Sequence, residues 1–234
     1  MMRQTLDAGL PELGLDLPES ARQTLCDFGA AVIKQNEVMN LTAITEPADI
    51  ATLHFLDSAA LLTMVDFTGK TVADIGTGAG FPGMPLRIVE PSIRLTLLDS
   101  LNKRIQFLET VCRELDLPDV ACVHARAEEF AAEHRETFDL AVSRAVAALP
   151  VLCELCLPYV KVGGAFLAMK SVDCGRELEE AAHCIKLLGA RLEECRDYTI
   201  PGTDVIHRLV VLRKVAPTLK GYPRRWAKIQ KAPL

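Results

Sequence analysis

The segment of the sequence best suited to chemistry is a glycine-rich loop at 72–83, with the letters VADIGTGAGFPG. It joins a short apolar run to the start of a helical pattern, and ligands of open parallel sheets bind at such strand ends. Glycines at 76, 78 and 80 let the backbone turn tightly and approach a ligand without interference from side chains. The loop therefore predicts a cofactor site.

Two classes of cofactor compete for this loop. Gly78, Gly80 and Gly83 match the G-x-G-x-x-G pattern that directs backbone N–H groups and a helix N-terminus at a diphosphate. Asp74, however, ends the preceding strand two residues before the first glycine, Gly76. Its carboxylate would repel a diphosphate but would suit the ammonium and sulfonium groups of S-adenosylmethionine, which carries no phosphate. The offset spacing from Asp74 onward therefore favours S-adenosylmethionine.

Three further positions fit an adenosine group. Asp99 ends the second apolar run, about twenty residues after the loop, where a carboxylate accepts hydrogen bonds from both hydroxyls of a ribose. The third run leads to residues expected beside the adenine, where the backbone amide of Ala127 or the carboxylate of Glu128 can contact the nitrogens of the adenine. The simpler alternatives are a turn acid for Asp99 and a helix N-cap acid for Glu128. We favour the ribose role for Asp99, and both roles of Glu128 stay open.

Alternating apolar runs and helical patterns must position these residues. The runs lie at 71–75, 95–98, 120–123, 138–142 and 165–169, and the helical patterns at 83–89, 102–115, 128–134, 149–160 and 175–188. Two more runs, at 192–200 and 209–212, are separated by a Pro-Gly turn, which predicts an antiparallel pair at one edge. The sequence therefore predicts an α/β fold, a doubly wound and mostly parallel seven-stranded sheet with helices on both faces.

Two helical patterns precede the first strand. One covers 18–39, and the other begins at Thr45, a good N-cap residue, and runs to about Val65. The turn at 68–70 is too short to separate true domains. We therefore expect residues 1–68 to form a helical extension packed on the core, and residues 69–234 to form the main domain with a basic C-terminal tail.

The composition limits the class of protein. The 234 residues are 50% hydrophobic and 24% charged, which is typical of a globular chain and excludes a disordered one. No stretch reaches the ~18 apolar residues of a membrane span, and the N-terminus lacks the apolar run of a signal peptide. A cytoplasmic protein without a membrane partner is expected. Cys153 and Cys156 form a C-x-x-C pair without a second pair, so we predict buried thiols and no metal.

Charge is unevenly distributed along the chain. Residues 205–234 contain eight Lys and Arg and no Asp or Glu, so the net charge of −5 leaves −13 on residues 1–204. An acidic body with a basic end indicates an anionic partner, most often a nucleic acid. A solvated tail that balances an acidic protein explains the charge equally well.

The motifs in combination resemble those of the bacterial 16S ribosomal RNA guanine-N7 methyltransferase family, also called glucose-inhibited division protein B. The matching segments are NLTAI at 40–44, HFLDS at 54–58, DIGTGAGFPG at 74–83, LDSLNKR at 98–104, FDLAVSRA at 138–145 and YPRR at 222–225. They occur in the family's order across nearly the whole chain. One departure is Ser171 after Lys170, where many relatives have a Lys-Gly pair.

The resemblance implies an S-adenosylmethionine-dependent methyltransferase fold and a guanine of 16S ribosomal RNA, in the small ribosomal subunit, as the methyl acceptor. By position it places the cofactor against Gly76, Phe81, Ala127, Glu128 and Arg144, and Asp74, Gly78 and Asp99 complete the expected site. Nothing in the sequence requires more than a monomer.

The chemistry of guanine N7 makes few demands on the protein. N7 carries a free lone pair at neutral pH, so alignment and exclusion of water suffice and no catalytic acid or base is assigned. Because N7 faces the deep groove of an RNA helix, the acceptor must be an unpaired or extruded guanine. Arg144, beyond the fourth strand, is expected at the cleft mouth, where it stacks on a base or binds a phosphate rather than forming a surface ion pair.

The basic end is expected to bind the RNA phosphates around that guanine. The candidate residues are Arg144, Lys214, Lys220, Arg224, Arg225 and Lys228. Tyr222 and Trp226 either stack on a base or pack the tail onto the body. His54 and Asp57 share a helix face, where a structural role is favoured over a role in shaping the acceptor pocket.

Two alternatives of other classes remain at this stage. A nicotinamide (NAD)-dependent oxidoreductase would explain the glycine pattern, but Asp74 and the lack of a second substrate domain argue against it. A non-enzymatic RNA-binding ribosome assembly factor would explain the basic end, but the intact loop and Asp99 argue against that.

Overall fold

The computed structural model describes all residues 1–234 and contains one seven-stranded sheet in the order β3-β2-β1-β4-β5-β7-β6. The strands are β1 (Thr71–Ile75), β2 (Arg94–Asp99), β3 (Val120–His124), β4 (Phe138–Arg144), β5 (Val160–Ser171), β6 (Ala190–Thr199) and β7 (Ile206–Lys214). Strands β1 to β5 pair in parallel, and β7 is antiparallel to both β5 and β6. The predicted mostly parallel α/β sheet with an antiparallel pair at one edge is confirmed.

Helices cover both faces of the sheet and create two hydrophobic cores. The α-helices are α1 (Met2–Glu12), α2 (Glu19–Asn36), α3 (Pro47–Ile50), α4 (Asp57–Ala59), α5 (Gly83–Val89), α6 (Asn102–Glu114), α7 (Ala127–Phe130), α8 (Leu149–Cys156), α9 (Gly175–Leu187) and α10 (Trp226–Lys231). Successive residues of β1 point to opposite faces, so Val72 joins one core while Ala73 and Ile75 join the other. Burial on both faces explains why the central strands are almost continuously apolar.

The N-terminal helices pack directly on one face of this sheet. Leu6 of α1 and Phe28 of α2 are fully buried in the same core as Leu97 of β2. Helix α1 lies before the first helix that the sequence pattern predicts, and it was not predicted. The N-terminal helices and the sheet share one continuous core. The division of the chain into two parts at residue 68 stays a prediction.

The second predicted helix is not a regular α-helix. Between α3 and α4 the chain forms a π-helical turn at Ala51–Leu56, and after α4 it ends in a 3₁₀ turn at Ala60–Thr63. The expected N-cap, Thr45, is not used, since the residue before α3 is Glu46. The wider π-helical turn is a common feature of functional sites. It changes which side chains share a face, and it contains His54.

Lys214 is buried, and the prediction that it binds RNA is wrong. Its ammonium group donates to the carbonyls of Leu157 (3.1 Å) and Leu188 (3.0 Å) and to the hydroxyl of Thr218, and none of its surface is exposed. Removal from water lowers the pKa of Lys214 to about 8. The side chain therefore ties the end of β7 to the segments around it.

Arg224 also serves the fold. Its guanidinium donates to both oxygens of Glu154, at 2.7 and 2.8 Å, and the Glu154 side chain is fully buried. A further bond from the same guanidinium reaches the carbonyl of Ala232 at 3.0 Å. This ion pair fastens the C-terminal segment to α8 and accounts for the charge of Arg224 without RNA.

Replacement of Lys214 by methionine tests its structural role. We expect Lys214→Met to lower the free energy of unfolding by about 2–4 kcal/mol at pH 7, because two carbonyls and a hydroxyl lose their donor. The difference from the parent should widen between pH 8 and pH 10.5. In that window the unfolded lysine binds a proton that the folded one, with a pKa of about 8, has released. Urea unfolding followed by circular dichroism measures both effects.

Lys220, an exposed lysine six residues further on, is the matched control. Lys220→Met should change the free energy of unfolding by less than about 0.5 kcal/mol. Unchanged stability of Lys214→Met, together with weaker RNA binding, would contradict the buried role.

Candidate cofactor and acceptor site

Two joined cavities lie at the carboxyl ends of the central strands. The larger has a volume of about 520 Å³ and the smaller of about 190 Å³, and both are lined by Gly76 and Asp99. Of the predicted cofactor residues, Gly76, Gly78, Phe81, Asp99 and Arg144 line the larger cavity, and Ala127 and Glu128 line the smaller one. The fold thus brings together seven of the eight predicted positions, and Asp74 is the exception.

Gly76 shapes the floor of both cavities. Its φ of +74° lies in the left-handed region, and a Cβ there would come within 2.6 Å of a methyl carbon of Val146. The loop therefore needs glycine at this position for two reasons. At Gly78, by contrast, a Cβ would meet no protein atom within 4 Å, so the loop presents open space to a ligand on that side.

Asp74 does not line either cavity, so the expected contact of its carboxylate with the cofactor is wrong. The side chain is fully buried, and one oxygen accepts hydrogen bonds from the Gly83 amide (2.8 Å) and the Thr77 hydroxyl (2.7 Å). Gly83 begins α5, and a Cβ there would approach the same oxygen to 2.8 Å. Burial raises the pKa of Asp74 to about 6, although both hydrogen bonds oppose that shift.

The position of Asp74 argues against a diphosphate for a reason that the spacing did not reveal. In dinucleotide-binding loops the N-terminus of this helix binds the diphosphate. Here the carboxylate of Asp74 already occupies the amide of Gly83, which is the third glycine of the G-x-G-x-x-G pattern. The amide of Gly83 is therefore not available to a diphosphate, and the loop does not favour a nicotinamide dinucleotide.

Asp99 lies where the two cavities meet. Its carboxylate accepts hydrogen bonds from the amides of Gly78 (3.0 Å) and Leu101 (2.8 Å), and from Arg104 at 3.3 Å. A carboxylate has about four acceptor positions, so capacity remains for a hydroxyl group of a ligand. This arrangement fits a ribose at the junction, with an adenine in one cavity and an amino acid group in the other.

The smaller cavity has the features expected around an adenine. Ala127 is the first residue of α7, where the backbone N–H has no partner within the helix. Glu128 is held by Arg126, whose Nε donates to its carboxylate at 2.6 Å. Trp226 of α10 completes the wall. The sequence left the place of this tryptophan open, because its position beside Ala127 depends on how the C-terminal segment folds.

Arg144 is fixed at the opposite end of the larger cavity. Its guanidinium donates to the Leu53 carbonyl at 3.1 Å, to the Asp57 carboxylate at 2.9 Å and to Nδ1 of His54 at 2.9 Å. It also lies over the ring of Phe81, with its central carbon 5.3 Å from the ring centroid. Arg144 is therefore a fixed part of the cavity wall rather than a mobile surface side chain.

The partners of Arg144 are themselves tuned by burial and charge. Burial and the positive charge of Arg144 lower the pKa of His54 to about 4, so His54 is neutral at pH 7 and accepts the hydrogen bond from Arg144. Burial alone would raise the pKa of Asp57, but hydrogen bonds from His207 and Tyr198 and the charge of Arg144 hold it below its usual value. Asp57 thus stays an anion inside the protein.

A third cavity, of about 550 Å³, adjoins the larger of the two joined cavities across Arg144 and His54. Asp57, Lys170 and His207 also line it. Lys170 pairs with Glu177 at 2.6 Å and donates to the carbonyl of Ala147 at 3.2 Å. His54 and Asp57 therefore border a cavity, in addition to their structural hydrogen bonds.

Sequence reasoning missed Tyr198 and His207. They are paired across the β6–β7 ladder, and both donate to one oxygen of Asp57, at 2.8 and 2.9 Å. The residues are about 140 to 150 positions apart from Asp57 in the chain. No local spacing signals this contact, which depends on how the edge of the sheet faces the N-terminal helices.

Of the eight cations in residues 205–234, four are exposed. They are Lys220, Arg225, Lys228 and Lys231. None of the four takes part in an ion pair.

No helix of the structure combines the length and the apolar character needed to cross a lipid bilayer.

Comparison with known proteins identifies the family. The family model described as "GidB: rRNA small subunit methyltransferase G" matches residues 21–201. Proteins named ribosomal RNA small subunit methyltransferase G from Alkaliphilus metalliredigens and Lachnoclostridium phytofermentans are 43% and 46% identical to this chain. The alignments cover 99% and 98% of this chain, and 98% and 96% of the relatives.

A solved structure, TrmN from Thermus thermophilus, is similar to this chain in fold. It superposes with a TM-score of 0.54 at 20% identity, over 70% of this chain and 53% of that one. The resemblance drawn from the sequence motifs is confirmed by the family match. The chain belongs to the ribosomal RNA small subunit methyltransferase G family.

Proposed function

We propose that the protein transfers a methyl group from S-adenosylmethionine to N7 of a guanine in 16S ribosomal RNA of the small ribosomal subunit. Membership of the methyltransferase family supports the reaction. The observation that carries the proposal for this chain is the loop closed by Asp74 beside two cavities that meet at Asp99. That arrangement accommodates an adenosyl group linked to an amino acid and offers no amide at Gly83 to a diphosphate.

The residues of the two joined cavities hold and orient the methyl donor. S-adenosylmethionine, when bound, supplies a methyl group on a positively charged sulfur. Asp99 accepts a hydrogen bond from a ribose hydroxyl, and the amide of Ala127 and the carboxylate of Glu128 face the adenine. Gly76 and Gly78 keep the loop free of side chains, and Phe81 and Arg144 bound the far end of the larger cavity.

The third cavity is the proposed acceptor site. It shares Arg144 and His54 with the larger cavity, so an acceptor base there lies next to the donor. Because guanine N7 needs no base to remove a proton, the protein's role is alignment, and no catalytic acid or base is assigned. Arg144 is held by hydrogen bonds to three residues, and its planar guanidinium is suited to contact a base or a phosphate at the boundary.

The exposed cations of the C-terminal segment are proposed to bind the RNA around that guanine. Lys220 and Arg225, among the four exposed cations of this segment, are the residues chosen to test this. The proposed working unit is a monomer. Action on ribosomal RNA places the proposed activity in the cytoplasm.

The base that receives the methyl group tests the proposed function directly. Incubation of the protein with isolated small subunits and radiolabelled S-adenosylmethionine should label 7-methylguanosine at one site of the 16S RNA. Nuclease digestion and mass spectrometry of the labelled fragment measure this. Large-subunit RNA, the control, should stay unlabelled. Label on an exocyclic amine or a ribose, or tight saturable binding of a nicotinamide dinucleotide, would contradict the proposal.

Removal of the Arg144 guanidinium should reduce transfer by at least tenfold. Arg144→Ala deletes the group at the boundary of the donor and acceptor cavities, so alignment of the two reactants is lost. Single-turnover transfer of labelled methyl groups to small subunits measures the effect, and circular dichroism checks that the variant is folded. Arg113→Ala, at an exposed arginine of α6, is the matched control. Transfer by folded Arg144→Ala within twofold of the parent would remove Arg144 from the site.

The affinity for RNA should fall steeply with salt. Each phosphate contact contributes to the slope of log Kd against log salt concentration, so Lys220→Ala and Arg225→Ala should each reduce that slope by about 1. Filter binding to small-subunit RNA over a salt series measures it. The exposed Lys186 on α9 and the buried Lys214 are the controls, because Lys186→Ala and Lys214→Met should leave the slope unchanged. An affinity that does not depend on salt would exclude the basic segment as the docking surface.

A further inference from the structure

Trp226 lies in the wall of the smaller cavity although it belongs to the C-terminal segment. It is the only tryptophan in the chain, and it is about 100 residues away from Ala125 to Glu128, which line the same cavity. Ile75, Leu98, Val146 and Leu155 supply the aliphatic part of that lining. The indole is therefore the only aromatic surface that the cavity offers.

Several strong contacts determine where Trp226 lies. Two residues before it, Arg224 pairs with the fully buried Glu154, which also accepts the backbone N–H of Arg224 at 2.8 Å. Three residues after it, Ile229 is fully buried. Arg135 donates to the carbonyls of Thr218, Leu219 and Tyr222, which fixes the chain that leads into this region. The segment is anchored on both sides of Trp226.

The indole is also connected to the polar residues of the cavity. The guanidinium carbon of Arg126 lies 5.1 Å from the centroid of the Trp226 ring, which is a cation–π distance. The same guanidinium donates to Glu128 at 2.6 Å. Arg126 thus holds the indole and the Glu128 carboxylate in a fixed relation on one side of the cavity.

We propose that Trp226 contacts the purine ring of the methyl donor, and that the C-terminal segment is thereby part of the cofactor site. An aromatic side chain binds a base through their π faces, whatever the base, and it excludes water from the ring. The aliphatic lining and the indole together form an apolar slot, with Ala127 and Glu128 at its polar end. This inference rests on the proposed function, because it uses the assignment of adenine to the smaller cavity.

The single tryptophan provides a direct readout that does not depend on catalysis. Titration of the protein with S-adenosylhomocysteine, the demethylated donor, should change the indole fluorescence in a saturable manner. The Kd obtained from fluorescence should equal that from isothermal titration calorimetry. Saturable heat without any change in fluorescence would place the purine away from Trp226 and overturn the inference.

Substitutions at position 226 separate contact with the ligand from packing of the segment. Trp226→Leu, which keeps apolar bulk, and Trp226→Ala should each raise the Kd for S-adenosylhomocysteine at least fivefold, whereas Trp226→Phe should stay within about twofold of the parent. Calorimetry gives the Kd values, and thermal unfolding checks that each variant is folded. Gln230→Ala, at an exposed residue of the same helix, is the matched control and should bind like the parent.

Binding of adenosine, a fragment of the donor, shows which part of the donor Trp226 contacts. The Trp226→Leu substitution should weaken binding of adenosine by a factor similar to that for S-adenosylhomocysteine. A folded Trp226→Leu protein with unchanged affinity for both ligands would overturn the inference and leave the proposed function intact. Failure of the parent protein to bind S-adenosylhomocysteine at all would instead contradict the proposed function, and this inference with it.

Discussion

The hydrogen bonds of one buried carboxylate determine the form of the cofactor loop. Asp74 lies at the end of β1, and its oxygen joins the hydroxyl of Thr77 to the amide of Gly83 at the start of α5. The loop must curl around this side chain, so Gly76 adopts a positive φ and faces the cavities. The desolvation of the carboxylate is unfavourable, and its pKa rises to about 6 as a result. Two hydrogen bonds and the helix N-terminus offset part of that penalty.

The N-terminal helices are built into the site rather than attached to it. The π-helical turn presents the Leu53 carbonyl and the His54 ring to Arg144, and Asp57 follows directly after it. From the other side, Tyr198 and His207 at the sheet edge bind the same Asp57. An anion with this little exposure needs such partners, because an unpaired buried charge is strongly unfavourable. The third cavity is lined by several parts of the chain, including the N-terminal helices, the end of β4 and the sheet edge at β7.

Local patterns predicted the elements that local physics determines. The predicted bounds of β1 and α5 match the structure, since apolar runs and glycine turns act within a few residues. The contacts around Asp57 and the place of Trp226 depend instead on register and on the path of the C-terminal segment. The burial of Lys214 could not be predicted either. The sequence does not distinguish a lysine whose side chain is buried from one in solvent. The fold, and the grouping of most predicted cofactor residues around two joined cavities, could be predicted. The contacts that surround Asp57 could not.

The structure reduces the number of cations in the basic end that are free to attract an anionic partner. Eight cations in residues 205–234 indicated an anionic partner, but four of them are neutralised or buried within the protein. Arg208 pairs with Asp197 and Arg213 with Glu193 across the β6–β7 pair, while Arg224 and Lys214 serve the fold. Because paired charges contribute little to the long-range field, the proposed attraction of this end for RNA rests on the four remaining cations between 220 and 231. Those cations flank Trp226, so the proposed RNA-binding surface and the purine end of the proposed cofactor site share one short helix.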